Sequence, residues 1–95
     1  GSWRGKKPIQ RNAILALAHF KDASSLPELT ALMHQDPRPV IRGTAAWAIG
    51  KIGDPDYAEE LEKALQKEQD EDAIREIEKG LELLSVSEKT KTGRS

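Results

Sequence analysis

The sequence contains no cysteine among its 95 residues. Disulfide bonds, thiolate nucleophiles, cysteine zinc sites and iron–sulfur ligation by this chain are therefore excluded. No apolar run is long enough to cross a bilayer, so we expect no membrane partner. Hydrophobic residues make up 37% and charged residues 33% of the chain, which is too apolar for disorder and ordinary for a soluble, helix-rich protein. The length corresponds to one domain.

The net charge is only −1, but the charges are segregated along the chain. Residues 1–53 contain eight Lys and Arg against three Asp and Glu, whereas residues 54–88 contain four against thirteen. Residues 89–95 add three further positive charges. The first half is therefore suited to a polyanionic partner, and the acidic segment is not.

Two segments, residues 9–22 and 41–54, align with each other at an offset of 32 residues. Their matched apolar positions fall on one face of a helix. The matched pairs are Ile9 with Ile41, Ala13 with Ala45, Ala16 with Ala48, Leu17 with Ile49 and Phe20 with Ile52. A second amphipathic segment follows each copy, and a degenerate third copy starts near Ala73. The pattern predicts stacked helix pairs.

We predict five helices, over residues 8–20, 25–35, 39–52, 55–68 and 72–84. Pro8, Pro39 and Pro55 occupy first-turn positions, and Asp54 is a suitable N-cap. The expected fold class is all-α, a helical-repeat solenoid of about two and a half helix pairs. Residues 1–7 are expected to form a basic N-terminal arm, residues 8–84 the repeat domain, and residues 85–95 a disordered polar tail.

Residues 41–50 are similar to the core helix of a HEAT repeat, with the pattern Ile-Arg-x-x-Ala-Ala-x-Ala-Ile-Gly. The first half of the chain also resembles the C-terminal HEAT-like region of bacterial epoxyqueuosine reductases. The residues that carry this second resemblance are the basic run Arg4, Lys6 and Lys7, which leads into residues 10–13, and the segment 36–48. It covers a little over half of the chain.

The second resemblance implies a cytoplasmic enzyme that reduces epoxyqueuosine to queuosine in the anticodon loop of tRNA. That family uses cobalamin and two four-iron, four-sulfur clusters, whose cysteine motifs and cobalamin domain have no counterpart in this sequence. We therefore expect an accessory, tRNA-contacting fragment, joined in its parent chain to an upstream catalytic domain. The fragment itself is expected to bind no cofactor and to be no enzyme.

The candidate RNA-contacting residues are concentrated near the start of the sequence. Four cations and one aromatic residue occur there within nine positions, namely Trp3, Arg4, Lys6, Lys7 and Arg11. Cations at this density are suited to phosphates, and a tryptophan can stack on an unpaired base of an anticodon stem-loop. The alternative is a solvated basic arm in which Trp3 packs on the upstream domain.

Arg38 and Arg42, at the start of the third predicted helix, are further RNA-contacting candidates. Helices of neighbouring repeats run side by side, so Arg42 and Arg11 are expected to line one edge of the solenoid. An arginine at this position of a HEAT repeat often bonds an acidic residue of the adjacent turn instead. Asp36 and Asp70 are the candidate partners for that structural role, and both alternatives stay open.

No residue pattern indicates a catalytic or metal site. His19 and His34 are isolated, and the acidic residues 68–72 lack the spacing of a calcium-binding loop. Trp47 is assigned to packing in the core or at its rim. A protein–protein interaction scaffold is the alternative function for such an array. We also expect the isolated chain to self-associate or to melt at a modest temperature, because an apolar flank of the first helix pair is open to water.

Overall fold

The computed structural model describes residues 9–93 and, for side chains, residues 9–86. This part of the chain contains five α-helices and no β-strand, so the predicted all-α helical-repeat fold is confirmed. The helices are α1 (Arg11–His19), α2 (Leu26–Gln35), α3 (Pro39–Ile52), α4 (Ala58–Lys67) and α5 (Glu71–Gly93). Within the described residues, no helix is both long enough and apolar enough to cross a membrane.

Each second helix of a pair is introduced by a short 3-10 helix with the same capping contact. The Asp22 carboxylate accepts a hydrogen bond of 3.1 Å from the backbone N–H of Ser24. The Asp54 carboxylate, one repeat later, accepts one of 3.0 Å from the backbone N–H of Asp56. Such a cap satisfies an N–H group that the helix leaves unpaired. The predicted cap at Asp54 is thus confirmed, although Pro55 opens a 3-10 helix rather than α4.

The helices form two layers, with α1, α3 and α5 in the first and α2 and α4 in the second. Helix α3 is central because it packs against α1, α2 and α5, while α4 packs mainly on α5. The core lies between the layers, and burial of each large side chain in it contributes about 1.5–3 kcal/mol. The largest fully buried side chains are those of Ile14, Leu29, Met33, Ile49, Leu61, Ile77 and Leu84.

Two glycines set the distance between α3 and α5. A Cβ atom at Gly50 would lie 2.5 Å from both the Cα and the carbonyl oxygen of Gly80. A Cβ atom at Gly80 would lie 2.5 Å from the carbonyl oxygen of Ala46. These separations are too short for any carbon atom to occupy, so the close packing of the two helices depends on both glycines.

The observed helices depart from the predicted bounds at both ends of the chain. Helix α1 begins at Arg11, and Gln10 is its N-cap in an extended conformation, so the helix does not include the two residues after Pro8. Pro8 and the predicted arm, residues 1–7, lie outside the described residues. Helix α5 does not end at residue 84 but continues to Gly93, which corrects the predicted disordered tail over residues 85–93. Neither proline nor glycine occurs between residue 84 and Gly93, so no residue there stops the helix.

Candidate functional site

The predicted RNA-contacting residues are only partly within the described structure. Arg11 opens α1, Arg38 is the N-cap of α3, and Arg42 lies one turn into α3. The remaining four lie outside the described residues, namely Trp3, Arg4, Lys6 and Lys7. The geometry of the site is therefore that of the three arginines and the groups around them.

Arg38 is held by the carboxylate of Asp36. Its Nε donates to Oδ1 and its Nη2 to Oδ2, each over 2.9 Å. The backbone N–H of Arg38 donates to Oδ1 as well, also over 2.9 Å. Nη2 donates a further bond of 3.0 Å to the carbonyl oxygen of Ile9, just before α1. These hydrogen bonds, that of the Arg38 side chain foremost, hold the pKa of Asp36 below its ordinary value of 3.8.

Arg42 makes a similar contact with Glu68, the C-cap of α4. Its Nε and Nη2 donate to the two carboxylate oxygens of Glu68 over 2.8 Å and 2.9 Å. Its Nη1 donates to the carbonyl oxygen of Asp36 over 2.9 Å. The Glu68 side chain is only 5% exposed, and the paired guanidinium holds its pKa below the ordinary value of 4.5. Arg42 therefore has the structural role that was one of its two predicted alternatives.

The acidic partner of Arg42 differs from the two predicted candidates. Asp36 contributes its backbone carbonyl rather than its carboxylate. The Asp70 carboxylate accepts a bond of 2.9 Å from the backbone N–H of Ala73 at the start of α5. Glu68 stands 32 residues after Asp36, which is the repeat offset, and both residues are the C-caps of second helices. This 32-residue register is the sequence signal that identifies Glu68 as the partner of Arg42.

Arg38 and Arg42 can still donate hydrogen bonds to an additional ligand. A guanidinium carries five N–H donors, and the contacts above leave two of them unused on each arginine. Each positive charge, however, is already matched by a carboxylate. Direct RNA contact by these two residues stays a prediction.

Arg11 is exposed, as Arg75 is, but unlike Arg75 it makes no ion pair with another described residue. It borders two adjoining grooves on the first layer of helices, with volumes of about 370 Å³ and 290 Å³. The larger groove runs between α3 and α5, where Asp70, Asp72 and Glu76 make one wall acidic. The smaller groove contains Trp47, which packs against the core with part of its surface exposed. Arg11 thus marks the basic edge of a surface whose α5 side is acidic.

His34 connects the two second helices. Its Nε2 lies 2.9 Å from Oε1 of Glu60, and this hydrogen bond holds the pKa of Glu60 below its ordinary value of 4.5. The Nδ1 atom of His34 is buried without a hydrogen-bond partner among the described residues. Within residues 9–86, no three histidine or carboxylate groups are placed to share a metal ion.

Known proteins match most or all of this chain. A family model described as HEAT repeats matches residues 5–82. An epoxyqueuosine reductase of Bacillus subtilis (strain 168) is 83% identical over 95 residues, which is 100% of this chain and 25% of that protein. An epoxyqueuosine reductase of Bacillus anthracis is 65% identical over 85 residues, which is 90% of this chain and 22% of that protein. The chain thus spans about a quarter of the length of these relatives, and the predicted resemblance is confirmed.

Solved structures match in the same way. A crystal structure of epoxyqueuosine reductase with an epoxyqueuosine-modified tRNA-Tyr stem loop is 87% identical, with a TM-score of 0.80 over 90% of this chain and 23% of that one. A selenomethionine-labelled epoxyqueuosine reductase is 88% identical, with a TM-score of 0.78 over 88% of this chain and 22% of that one. The two-layer arrangement of helices, the 32-residue register and the family match all agree, and the chain belongs to the HEAT-repeat family.

Proposed function

We propose that this chain is an accessory, tRNA-contacting HEAT-repeat domain of an epoxyqueuosine reductase, the oxidoreductase that converts epoxyqueuosine to queuosine in tRNA. The observation that carries the proposal is the 87% identity to a structure of that enzyme with a tRNA stem loop. The basic character of residues 1–53 supports it, because cationic surfaces are what bring a protein to a polyanion.

The direct RNA contacts are proposed for the basic arm and for Arg11. Lysines and arginines neutralise phosphates, and their number sets how steeply the affinity depends on salt. Trp3 would add base stacking, whose strength depends little on which base of the RNA is stacked. The RNA partner is an anticodon stem-loop, since the loop presents unpaired bases.

Catalysis is proposed for the remainder of the parent protein, an upstream domain of the same chain. The parent is proposed to carry cobalamin and two iron–sulfur clusters. Iron–sulfur clusters are held by cysteine thiolates, and this chain has none, so its residues do not fit that role. The chain itself is proposed to have no reaction centre, and a tRNA substrate supports a cytoplasmic location.

A protein–protein scaffold is the second candidate function. The observation that favours it is the acidic character of residues 54–88, which are unsuited to RNA. The pairing of Arg38 and Arg42 with carboxylates also favours it, because a neutralised guanidinium attracts phosphate less.

A salt titration of binding to an anticodon stem-loop separates the two functions. For wild type, the logarithm of the affinity is expected to fall with the logarithm of salt concentration at a slope of about −0.7 per phosphate contact. Lys6→Glu with Lys7→Glu is expected to weaken binding and flatten the slope. Trp3→Ala is expected to cost about 1–3 kcal/mol with little change in slope.

The matched control is Lys63→Glu with Lys67→Glu, the same change in charge on two exposed lysines of α4. This control is expected to bind nearly as wild type, and circular dichroism verifies that all variants are folded. If the variant with Lys6→Glu and Lys7→Glu is folded and binds the stem-loop as tightly as wild type, the result favours the protein–protein scaffold over RNA contact by the arm.

A further inference from the structure

A row of equivalent positions crosses the first layer of helices. Leu15 of α1, Trp47 of α3 and Lys79 of α5 follow one another at the repeat offset of 32 residues. Equivalent positions of stacked repeats lie side by side, and these three side chains all line the smaller groove of about 290 Å³. Arg11 lies one turn before Leu15 on α1 and borders the same groove. The groove therefore combines an aromatic ring with one cation from each neighbouring helix.

The core uses only part of the Trp47 side chain. Trp47 packs against the buried residues, yet part of its surface stays exposed and lines the groove. A partly exposed aromatic ring can stack on an unpaired base, because every base presents a flat face. The volume of the groove is close to the lower limit of about 300 Å³ for cavities that hold small ligands. One nucleotide, rather than a duplex, is therefore the ligand that suits the groove.

The charges around the two grooves favour the smaller one for an anion. Among the described residues, the smaller groove has the two cations Arg11 and Lys79 against one carboxylate, whereas the larger has Arg11 against three. Arg11 makes no ion pair with another described residue. Nζ of Lys79 lies 3.3 Å from Oε2 of Glu76, but the two side chains are 59% and 37% exposed. Such an exposed pair contributes little energy, so a phosphate can replace Glu76 as the partner of Lys79.

We propose that the smaller groove binds one unpaired nucleotide of the RNA, with its base stacked on Trp47 and its phosphate between Arg11 and Lys79. This inference rests on the proposed RNA-contacting function, and it adds Trp47 and Lys79 to the residues that bind. The base supplies stacking energy that depends little on sequence. The two cations supply the part of the affinity that depends on salt.

Fluorescence tests the stacking without a substitution at Trp47. The chain has two tryptophans, so Trp3→Phe leaves Trp47 as the sole one. A stacked base quenches the emission of an indole, and the emission of this variant is expected to fall as an anticodon stem-loop is added. Inorganic polyphosphate, a polyanion without bases, is the control and is expected to leave the emission unchanged. An equal loss of emission with polyphosphate would overturn base stacking on Trp47.

Two substitutions at Trp47 separate stacking from packing. Trp47→Leu keeps an apolar side chain against the core but removes the aromatic ring, whereas Trp47→Phe keeps a smaller ring. Trp47→Leu is expected to bind the stem-loop about tenfold more weakly, with little change in the salt slope. Trp47→Phe is expected to recover most of that affinity, and thermal unfolding verifies that both variants are folded. Equal losses of affinity in the two variants would show that Trp47 acts through packing, which would overturn the site.

Lys79→Ala tests the phosphate contact. The variant is expected to flatten the salt slope by about 0.7, the contribution of one phosphate contact to a single strand. Lys63→Ala is the matched control, because Lys63 also pairs with a glutamate three residues earlier and is 63% exposed, but it lies on α4 outside the groove. This control is expected to keep the slope of wild type. The same slope for both variants would overturn the contact.

Glu76→Gln is expected to change affinity in the opposite direction. It removes the only carboxylate among the described residues that line the smaller groove, and it releases Lys79 from its ion pair. Stem-loop affinity is expected to rise about two- to fivefold at low salt. A purely structural role of the ion pair predicts no such gain, so an unchanged or weaker affinity would overturn the proposed site.

These measurements distinguish failure of the site from failure of the proposed function. A wild-type chain that binds the stem-loop, while the emission of Trp47 and the affinity of Trp47→Leu stay unchanged, would overturn the site and leave the proposed function intact. A wild-type chain that binds no stem-loop would overturn the proposed function, and the nucleotide site with it.

Discussion

Glu68, at the end of α4, accepts two parallel hydrogen bonds from Arg42 of α3, over 2.8 Å and 2.9 Å. The same carboxylate accepts bonds from the backbone N–H groups of Gln69 and Asp70, at 3.2 Å and 3.1 Å. Arg42 also reaches the carbonyl of Asp36 at the end of α2. One ion pair thus joins the end of the first helix pair, the central helix and the turn into α5.

Glu68→Ala is therefore expected to destabilise the fold by about 2–4 kcal/mol, because it leaves a largely buried guanidinium without its carboxylate. Urea unfolding followed by circular dichroism measures this loss. Glu62→Ala is the matched control, since Glu62 is exposed on the same helix, and it should change stability by less than about 0.5 kcal/mol. Equal effects of the two variants would contradict a structural role for Glu68.

The same pair predicts how stability depends on pH. The pKa of Glu68 is lower in the folded chain than its ordinary value of 4.5, mainly because Arg42 hydrogen-bonds its charged form. The folded state therefore binds fewer protons than the unfolded state near that pH. The stabilisation is fully present above the ordinary pKa and is lost as the pH falls through the lowered folded pKa. Urea unfolding at a series of pH values should show this loss for wild type, and Glu68→Gln should show a smaller one.

The repeat was predictable because its signals are local and occur twice. The apolar face of residues 41–54 recurs 32 residues earlier, and the aspartates that follow, Asp22 and Asp54, cap equivalent 3-10 helices. Helix faces follow from the spacing of apolar residues alone. The order of the helices therefore followed directly from the sequence. On α1, however, the buried residues are Ile14 and Ala18 rather than the aligned Ala13, Ala16 and Phe20, which are exposed.

The partner of Arg42 and the length of α5 were less predictable. The carbonyl oxygen of Asp36 accepts a bond from Arg42, whereas the carboxylate of Asp70 caps the start of α5. The way in which neighbouring repeats stack decides which acid reaches the guanidinium of Arg42. In the sequence, only the 32-residue register between Asp36 and Glu68 indicates that Glu68 is the partner. The polar composition of residues 85–93 is typical of a tail, but no helix breaker occurs between residue 84 and Gly93, and α5 continues through them.

Gly50→Ala is expected to destabilise the chain by about 1–3 kcal/mol, since its Cβ would lie 2.5 Å from backbone atoms of Gly80. The direction of the change in stability is informative, because replacing glycine by alanine inside an unobstructed helix would stabilise that helix by about 0.5–1 kcal/mol. Gly43→Ala is the comparison variant. Its Cβ would lie 3.2 Å from the nearest atoms, of Ala73 and Glu76, so its cost should be smaller. Thermal unfolding of wild type, Gly50→Ala and Gly43→Ala measures the order of their stabilities. A Gly50→Ala chain that is more stable than wild type would contradict the close packing of α3 and α5.

The outer flank of α1 is expected to drive self-association at high concentration. Ala13 and Ala16 are exposed, whereas their repeat equivalents Ala45 and Ala48 are fully buried, and Phe20 is 76% exposed. A helix face that is buried in one repeat and open in another is a surface on which a further helix can stack. Sedimentation velocity should therefore show association that increases with concentration and weakens with Phe20→Ser. Val86→Ser is the control, because Val86 is 57% exposed on α5, away from this flank, and it should leave the association unchanged. A wild-type chain that stays monomeric at millimolar concentration would show that the flank does not bind a second copy.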